Sequence, residues 1–369
     1  MPVRQDRRRL LKAMAAGMIG LPLAGCSTWP AAPGRAEHQV IASAVRFANG
    51  DDGVAAFDTG GRMLWRRRLP ARCHGGAVSP DGRLLVLFER RPGWRAHVME
   101  LATGRLRGEL PLAEQEHFYG HGVFSPAGDR LYATVNDYAN GRGLVAVYHH
   151  SDRGWQRADT FDLAGIGPHQ IVLNPVDDTL AVALGGIDTH PDYPRLKRNL
   201  DTMDPALMIL DRRTGQVLAR HRPSHHQLSC RHIAVTPEGA VWAGYQYQGP
   251  AHHRPPLIAR LGSQRFEEFR LPVGIDGQVD NYIASVAACP ATGLVAMTAP
   301  RGGVVVVVDG RSGRHVGTTA VVDGSGVTAA PGGGFLISTG QGQVLALQPG
   351  GTPSKLLTPD VRWDNHLIA

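Results

Sequence analysis

HGGAVSPDGRLLVLFE, residues 74–89, sets two short apolar runs on either side of a Ser-Pro-Asp-Gly turn. Each run has the length of a strand. Proline and glycine supply the fixed φ and the positive φ that a tight reversal needs. The same unit returns as GHGVFSPAGDRLYATVND (120–137), PHQIVLNPVDDTLAVALGG (168–186), CRHIAVTPEGAVWAGYQ (230–246) and YIASVAACPATGLVAMTAP (282–300). A shorter copy, SGVTAAPGGGFLISTG, ends the series at 325–340. The shared prolines stand at 80, 126, 175, 237, 290 and 331, at intervals of 46, 49, 62, 53 and 41 residues. Many copies continue into a second hairpin, as in LMILDRRTGQVLARH or VVVVDGRSGRHVG. Four strands in about 45 residues, repeated along the chain, predict an all-β fold of the β-propeller type. A β-helix would show shorter and more even rungs, and a sandwich has no use for six copies of one unit.

Six prolines do not mean six blades. Residues 37–69 supply three strands but no Pro-turn inner strand, and the chain ends in the short apolar segment DNHLIA. Joining the two makes a seventh blade, with 366–369 as its inner strand, and the closure removes two open sheet edges. The expectation is therefore a seven-bladed β-propeller over residues 37–369, preceded by a linker at 26–36.

The first 25 residues read as an export signal rather than as part of the fold. Arg7-Arg8-Arg9 and Lys12 precede a short apolar run diluted by Ala and Gly, too short for a stable membrane span. DRRRLLK has the form of a twin-arginine signal, and LAGC at 23–26 that of a lipobox, which would make Cys26 a lipidated N-terminus. The expected location is the periplasm, with the lipid in the inner leaflet of the outer membrane and no other membrane contact. The signal carries five basic residues and one aspartate, so only +3 of the chain's net +7 belongs to residues 26–369. The basic balance thus gives no support for a nucleic-acid partner. Cys73, Cys230 and Cys289 have no metal-ligand spacing and read as small buried apolar residues.

Polar residues recur just ahead of the inner strands. His74, His169 and Arg231 stand six residues before their prolines, His121 and His232 stand five before theirs, and His366 opens the closing segment. Two readings remain open: a functional cluster at one mouth of the channel, or histidines that tie blades together by hydrogen bonds to the backbone. GGIDTHPDYPRLKRNLDTMDP interrupts the fourth blade between its second and third strands. Within it Asp188, His190 and Asp192 alternate, so an extended backbone presents them on one side as metal donors or as ordinary turn and salt-bridge partners. QYQGPAHHRPPLI (246–258) enlarges the equivalent loop of blade five, where Tyr245 and Gln246 offer aromatic and amide groups. Two enlarged neighbouring loops on a rigid scaffold suggest a binding face. No nucleophile elbow, HExxH, phosphate loop or haem-attachment motif occurs.

GIGPHQIVLNP, GGIDTHPDYPRLKRNLDTMDPAL, HQLSCRHIAVTPEGAVWAGYQYQGP and WDNHL resemble an uncharacterised bacterial family, domain of unknown function 1513. The resemblance runs through nearly all of the chain after the signal. It implies an exported seven-bladed propeller, encoded near imelysin-type and dihaem peroxidase-like proteins of periplasmic iron uptake. An iron-uptake protein or a small ligand is the partner it implies. Gln170 stands where the family usually has a carboxylate, and Leu184 where it has a polar residue. The leading expectation is a non-enzymatic binding module. The alternative is a metal-dependent hydrolase or oxidoreductase using iron or zinc, with His169, His232 and His366 as ligands or acid–base groups.

Overall fold

The computed structural model describes residues 38–369, except 153, 194, 195 and 264. The predicted export signal, the lipidation site Cys26 and the linker lie outside the described residues.

Seven four-stranded antiparallel sheets form the blades of a ring, so the expected propeller is what the chain builds. The innermost strands are Cys73–Val78, Glu116–Phe124, Pro168–Asn174, Leu228–Val235, Ser285–Cys289 and Gly324–Ala329 in blades two to seven. Helix is confined, among the described residues, to one turn at Leu200–Thr202 and one at Ile275–Gln278.

The turns that betrayed the repeat are held by their own side chains. Ser79 Oγ accepts from Leu84 N at 2.9 Å, and Ser125 Oγ does the same for Arg130 N at 3.0 Å. In the outer hairpins Asp211 Oδ1 accepts from the Arg213 and Thr214 amides, and Asp309 Oδ1 from those of Arg311 and Ser312. Each of these hairpins turns on a glycine at φ +73°, Gly215 or Gly313, a conformation that a Cβ would strain.

Apolar residues from facing sheets fill the space between blades, and tryptophans lock the joints. Trp65 Nε1 donates to Leu101 O in blade two, Trp242 Nε1 to Gly310 O in blade six, and Trp363 Nε1 to Gly342 O in blade seven. An indole can be buried in this way only because its N–H finds an acceptor. Cys73, Cys230 and Cys289 are unpaired and buried, as their apolar surroundings suggest.

The ring closes with a strand from each end of the propeller, but not where the sequence placed it. Regular pairing lies earlier, where Val361–Trp363 runs beside Val40–Phe47 with Val45 opposite Trp363. Asp364 N still bonds Ala44 O at 2.9 Å; the backbone then leaves the ladder and rejoins it at Ile368, whose N and O bond Ala42 at 2.8 and 2.9 Å. The predicted inner strand 366–369 is thus a single bridge, because the intervening residues are turned into the channel.

Candidate functional site

Five inner strands bring a histidine into the channel, and they do so by breaking their own ladders. Pairing is irregular between Cys73 and Gly76, Phe118 and Gly122, Pro168 and Ile171, and Cys230 and His232. His74, His121, His169 and His232 sit in these irregular stretches, and His366 in the gap before Ile368. A β-bulge re-aims a side chain that regular alternation would send into a blade.

The five imidazoles form a closed circuit. Ring centroids are 5.1 Å apart for His74 and His121, 4.8 Å for His121 and His169, and 4.8 Å for His169 and His232. The circuit is completed by His232 and His366 at 5.0 Å and by His366 and His74 at 4.6 Å. All five are buried. Such closeness requires glycine beside them: a Cβ on Gly75 would stand 2.5 Å from His121 Nδ1 and 2.6 Å from Gly120 O.

His121 Nε2, His169 Nδ1, His232 Nδ1 and His366 Nε2 have no hydrogen-bond partner among the described residues. Histidines that tied blades to one another would spend these atoms on backbone groups. Instead the imidazoles come together. One ligand atom each from His74, His121 and His169, and likewise from His121, His232 and His366, lies within 4.8 Å of the others in its set. His121 belongs to both sets.

Burial holds all five imidazoles below their ordinary pKa, and for His121, His169, His232 and His366 the other histidines push the same way. Neutral imidazole is the form that ligates a metal. His74 is oriented from behind, its Nδ1 lying 3.2 Å from Asp364 Oδ1. Burial alone would raise the Asp364 carboxyl, but the hydrogen bond from His74 and the charges of Arg72 and Arg90 hold it well below the carboxylate range. The ionised carboxylate therefore accepts from Nδ1–H and leaves the Nε2 lone pair to the cluster. This is the carboxylate–histidine pairing seen behind metal ligands. Arg72 Nε fixes the other Asp364 oxygen at 2.5 Å.

The depressed histidines set a direction for pH dependence. Below the ordinary imidazole value near 6.5 the unfolded chain takes up protons that the folded cluster refuses. Stability is then fully present above that value and falls as the pH drops, by up to about 1.4 kcal/mol per pH unit for each histidine. Thermal unfolding of chelator-treated protein at pH 7.5 and 5.5 checks this. An unchanged midpoint would show that the folded imidazoles take up protons as the unfolded ones do.

Cations gather at the same end of the ring. His74 and His169 lie near the start of their inner strands, and the loops joining second to third strands return to that end. These loops carry Arg90 and Arg91 in blade two, Lys197 in blade four and Arg301 in blade six, while Arg231 precedes His232 on its strand. Burial, the charges of Arg91 and Arg90, and opposing effects of Tyr282 and Tyr119 bring Arg231 down to about 10, still charged at neutral pH. Burial and the charges of Arg231, Arg301 and Arg91 likewise lower Lys197.

The structure unites part of the site that the sequence suggested. His169, His232 and His366 meet, with Arg231 beside them. Asp188 instead pairs with Arg198 at 2.7 Å, and His190 packs on Tyr138 with Asp192 Oδ2 3.5 Å away. No group of three potential ligands includes them among the described residues. Tyr245 is buried in the core between blades, its hydroxyl unpartnered, and Gln246 Nε2 donates to Ile283 O at 3.4 Å. Gln170 Oε1 accepts from Ile233 N at 3.0 Å, a structural task that a carboxylate would do equally well. The sequence showed no carboxylate matching the channel histidines, yet Asp364 fills that role. It was missed because it acts across the ring closure on a residue 290 positions away. The signal was present in WDNHL, where Asp364 stands two residues before His366.

Solved structures with this architecture include hydrazine synthase of Kuenenia stuttgartiensis, 14% identical over 82% of this chain and 88% of that one, with a TM-score of 0.60. A putative 6-phosphogluconolactonase from Bacteroides uniformis is 13% identical over 90% and 99% of the two chains, also at 0.60. BamB from Moraxella catarrhalis is 13% identical over 85% and 81%, at 0.50. At such identities the likeness is one of fold alone. No curated protein matches the sequence. Residues 67–369, from the last outer strand of blade one through the closing segment with Asp364 and His366, match one family throughout, and the chain belongs to it: the bacterial family described as Protein of unknown function (DUF1513).

Proposed function

We propose that this protein is an exported metal-binding β-propeller that holds a first-row transition-metal ion on the histidine circuit of its channel. The observation that carries this reading is the convergence of five buried imidazoles, four of which have a nitrogen without a partner among the described residues. An unsatisfied buried nitrogen is costly, and several aimed at one point make sense when an ion satisfies them together. An all-imidazole donor set suits zinc, copper, nickel or ferrous iron rather than calcium or magnesium. Iron is favoured by the family resemblance alone. Asp364, engaged by Arg72 and His74, acts as a positioning group and not as a free base. A binding component of periplasmic metal handling therefore fits these residues better than a hydrolase does.

The test is the metal content of untagged protein, followed by titration with iron, zinc and copper of the wild type and a His169/His232/His366 triple alanine variant. Stoichiometric metal in the first and none in the second is expected. A wild type that binds none of the three ions would sink the proposal.

The N-terminal signal supports periplasmic display through a lipid on Cys26, with Ser27 favouring outer-membrane sorting. Intact-mass measurement on the membrane fraction is expected to show a chain starting at Cys26 with added acyl mass. A soluble product cleaved elsewhere would refute it.

A further inference from the structure

Among the described residues many arginines answer a carboxylate: Arg142 meets Asp137, Arg157 meets Glu116, Arg212 meets Asp178, and Arg220 and Arg222 share Asp204. At the mouth above the histidines Arg90 reaches Asp364 at 3.8 Å, but three further arginines find no carboxylate. Among the described residues, Arg91, Arg231 and Arg301 donate no side-chain hydrogen bond and make no ion pair. Arg231 is partly buried and its Nε has no partner. Arg301 lies over the Tyr282 ring at 4.4 Å, which orients the guanidinium without neutralising it. Lys197 donates to the neutral amide of Gln248 at 2.6 Å. The nearby carboxylates are already committed, Asp188 to Arg198 and Asp364 to Arg72 and His74.

Gathering like charges at a partly buried mouth is unfavourable unless something negative joins them. Their origins also argue for a shared target. Arg91, Lys197 and Arg301 come from loops of blades two, four and six, and Arg231 from the inner strand of blade five. Different parts of the ring thus supply them to one place.

We propose that the mouth is a binding site for a small polyanion carrying carboxylate or phosphate groups, with Arg231 as the inner clamp and Arg91, Lys197 and Arg301 around it. Guanidinium forks match both oxyanions in bidentate geometry, and a fork that is partly shielded from water gains most from such a partner. The site stands beside the histidines and requires no metal, so its fate is separable from that of the metal reading. Where a metal is held, an oxyanion of the same ligand has the chemistry to complete its coordination.

The test is calorimetric titration of the chelator-stripped full chain with citrate and, separately, with inorganic phosphate, at low and at physiological salt. At least one probe is expected to bind with a submillimolar dissociation constant that weakens with salt. Arg231→Gln should weaken it at least about tenfold, two guanidinium hydrogen bonds being at stake. Arg91→Gln with Arg301→Gln should weaken it too, and Arg311→Gln, in the hairpin joining the third and fourth strands of blade six at the other end of the ring, should not. Citrate binding alone assigns a polycarboxylate, and phosphate binding alone assigns a phosphate ligand. If Arg231→Gln fails to fold by circular dichroism, the Arg91/Arg301 pair, carried on loops, decides. The proposal is overturned if neither probe binds, or if the wild type and the mouth variants bind alike. A wild type that binds anion but no metal would leave this site intact while removing the metal centre. His121→Ala should keep anion binding in the stripped protein.

Discussion

Alanine at His121 is expected to abolish metal retention, because this residue alone belongs to both sets of converging ligands. Removing one ligand from either outer edge leaves a triad elsewhere in the circuit, whereas removing His121 breaks both at once. The affinity should fall by more than about 100-fold, the upper range for losing a group that only supports a ligand. Asp364→Asn gives the comparison. It keeps the shape but no longer holds His74 in one tautomer with a full negative charge, so a loss of about 10- to 100-fold is expected. His190→Ala should change nothing, since His190 packs on Tyr138 in the insert. Equilibrium competition against a chelator of known affinity measures all three. If His121→Ala binds as tightly as the wild type, the circuit is not the metal site.

Truncation after Asp360 is expected to prevent folding altogether. The lost segment contains Val361, Trp363, Leu367 and Ile368, all buried between blade one, blade two and blade seven. At roughly 1.5–3 kcal/mol for each large apolar side chain, about 6–12 kcal/mol of burial disappears. A whole domain is stable by only about 5–15 kcal/mol. The same cut removes Trp363 Nε1 from Gly342 O and leaves Arg72 and His74 without Asp364. It also opens an edge on the Val40–Phe47 strand. Expression as inclusion bodies, or soluble protein without a cooperative unfolding transition, is the expected result. A truncated chain that unfolds like the wild type would show that the ring does not depend on its closure.

The site and the closure were legible to different degrees for one reason. A bulge changes which way a side chain points without changing the residues that flank it. CRHIAV reads as a strand with His232 at some point along it; only the irregular pairing between Cys230 and His232 sends the ring inward. In the same way DNHLIA reads as an apolar strand, whereas the chain leaves the ladder after Asp364 and rejoins it at Ile368, with His366 in the gap. The insert at 185–205 misled in the opposite direction. Asp188, His190 and Asp192 look like a ligand set because they alternate, but Asp188 pairs with Arg198, and His190 packs on Tyr138 with Asp192 beside it.

What the sequence determined by itself is the repeated unit: strands, Ser-Pro and Asp-Gly turns, seven blades and a ring that closes between its ends. Those depend on contacts between residues close along the chain, where pattern and turn chemistry are written directly. What only the tertiary structure decided is that five histidines from five blades meet, that Asp364 stands behind His74, and that unpaired arginines from separate loops face the same mouth. Their spacing before the prolines marks these histidines as recurring, but whether they meet depends on where each inner strand bulges, and a bulge leaves no mark on the residues around it.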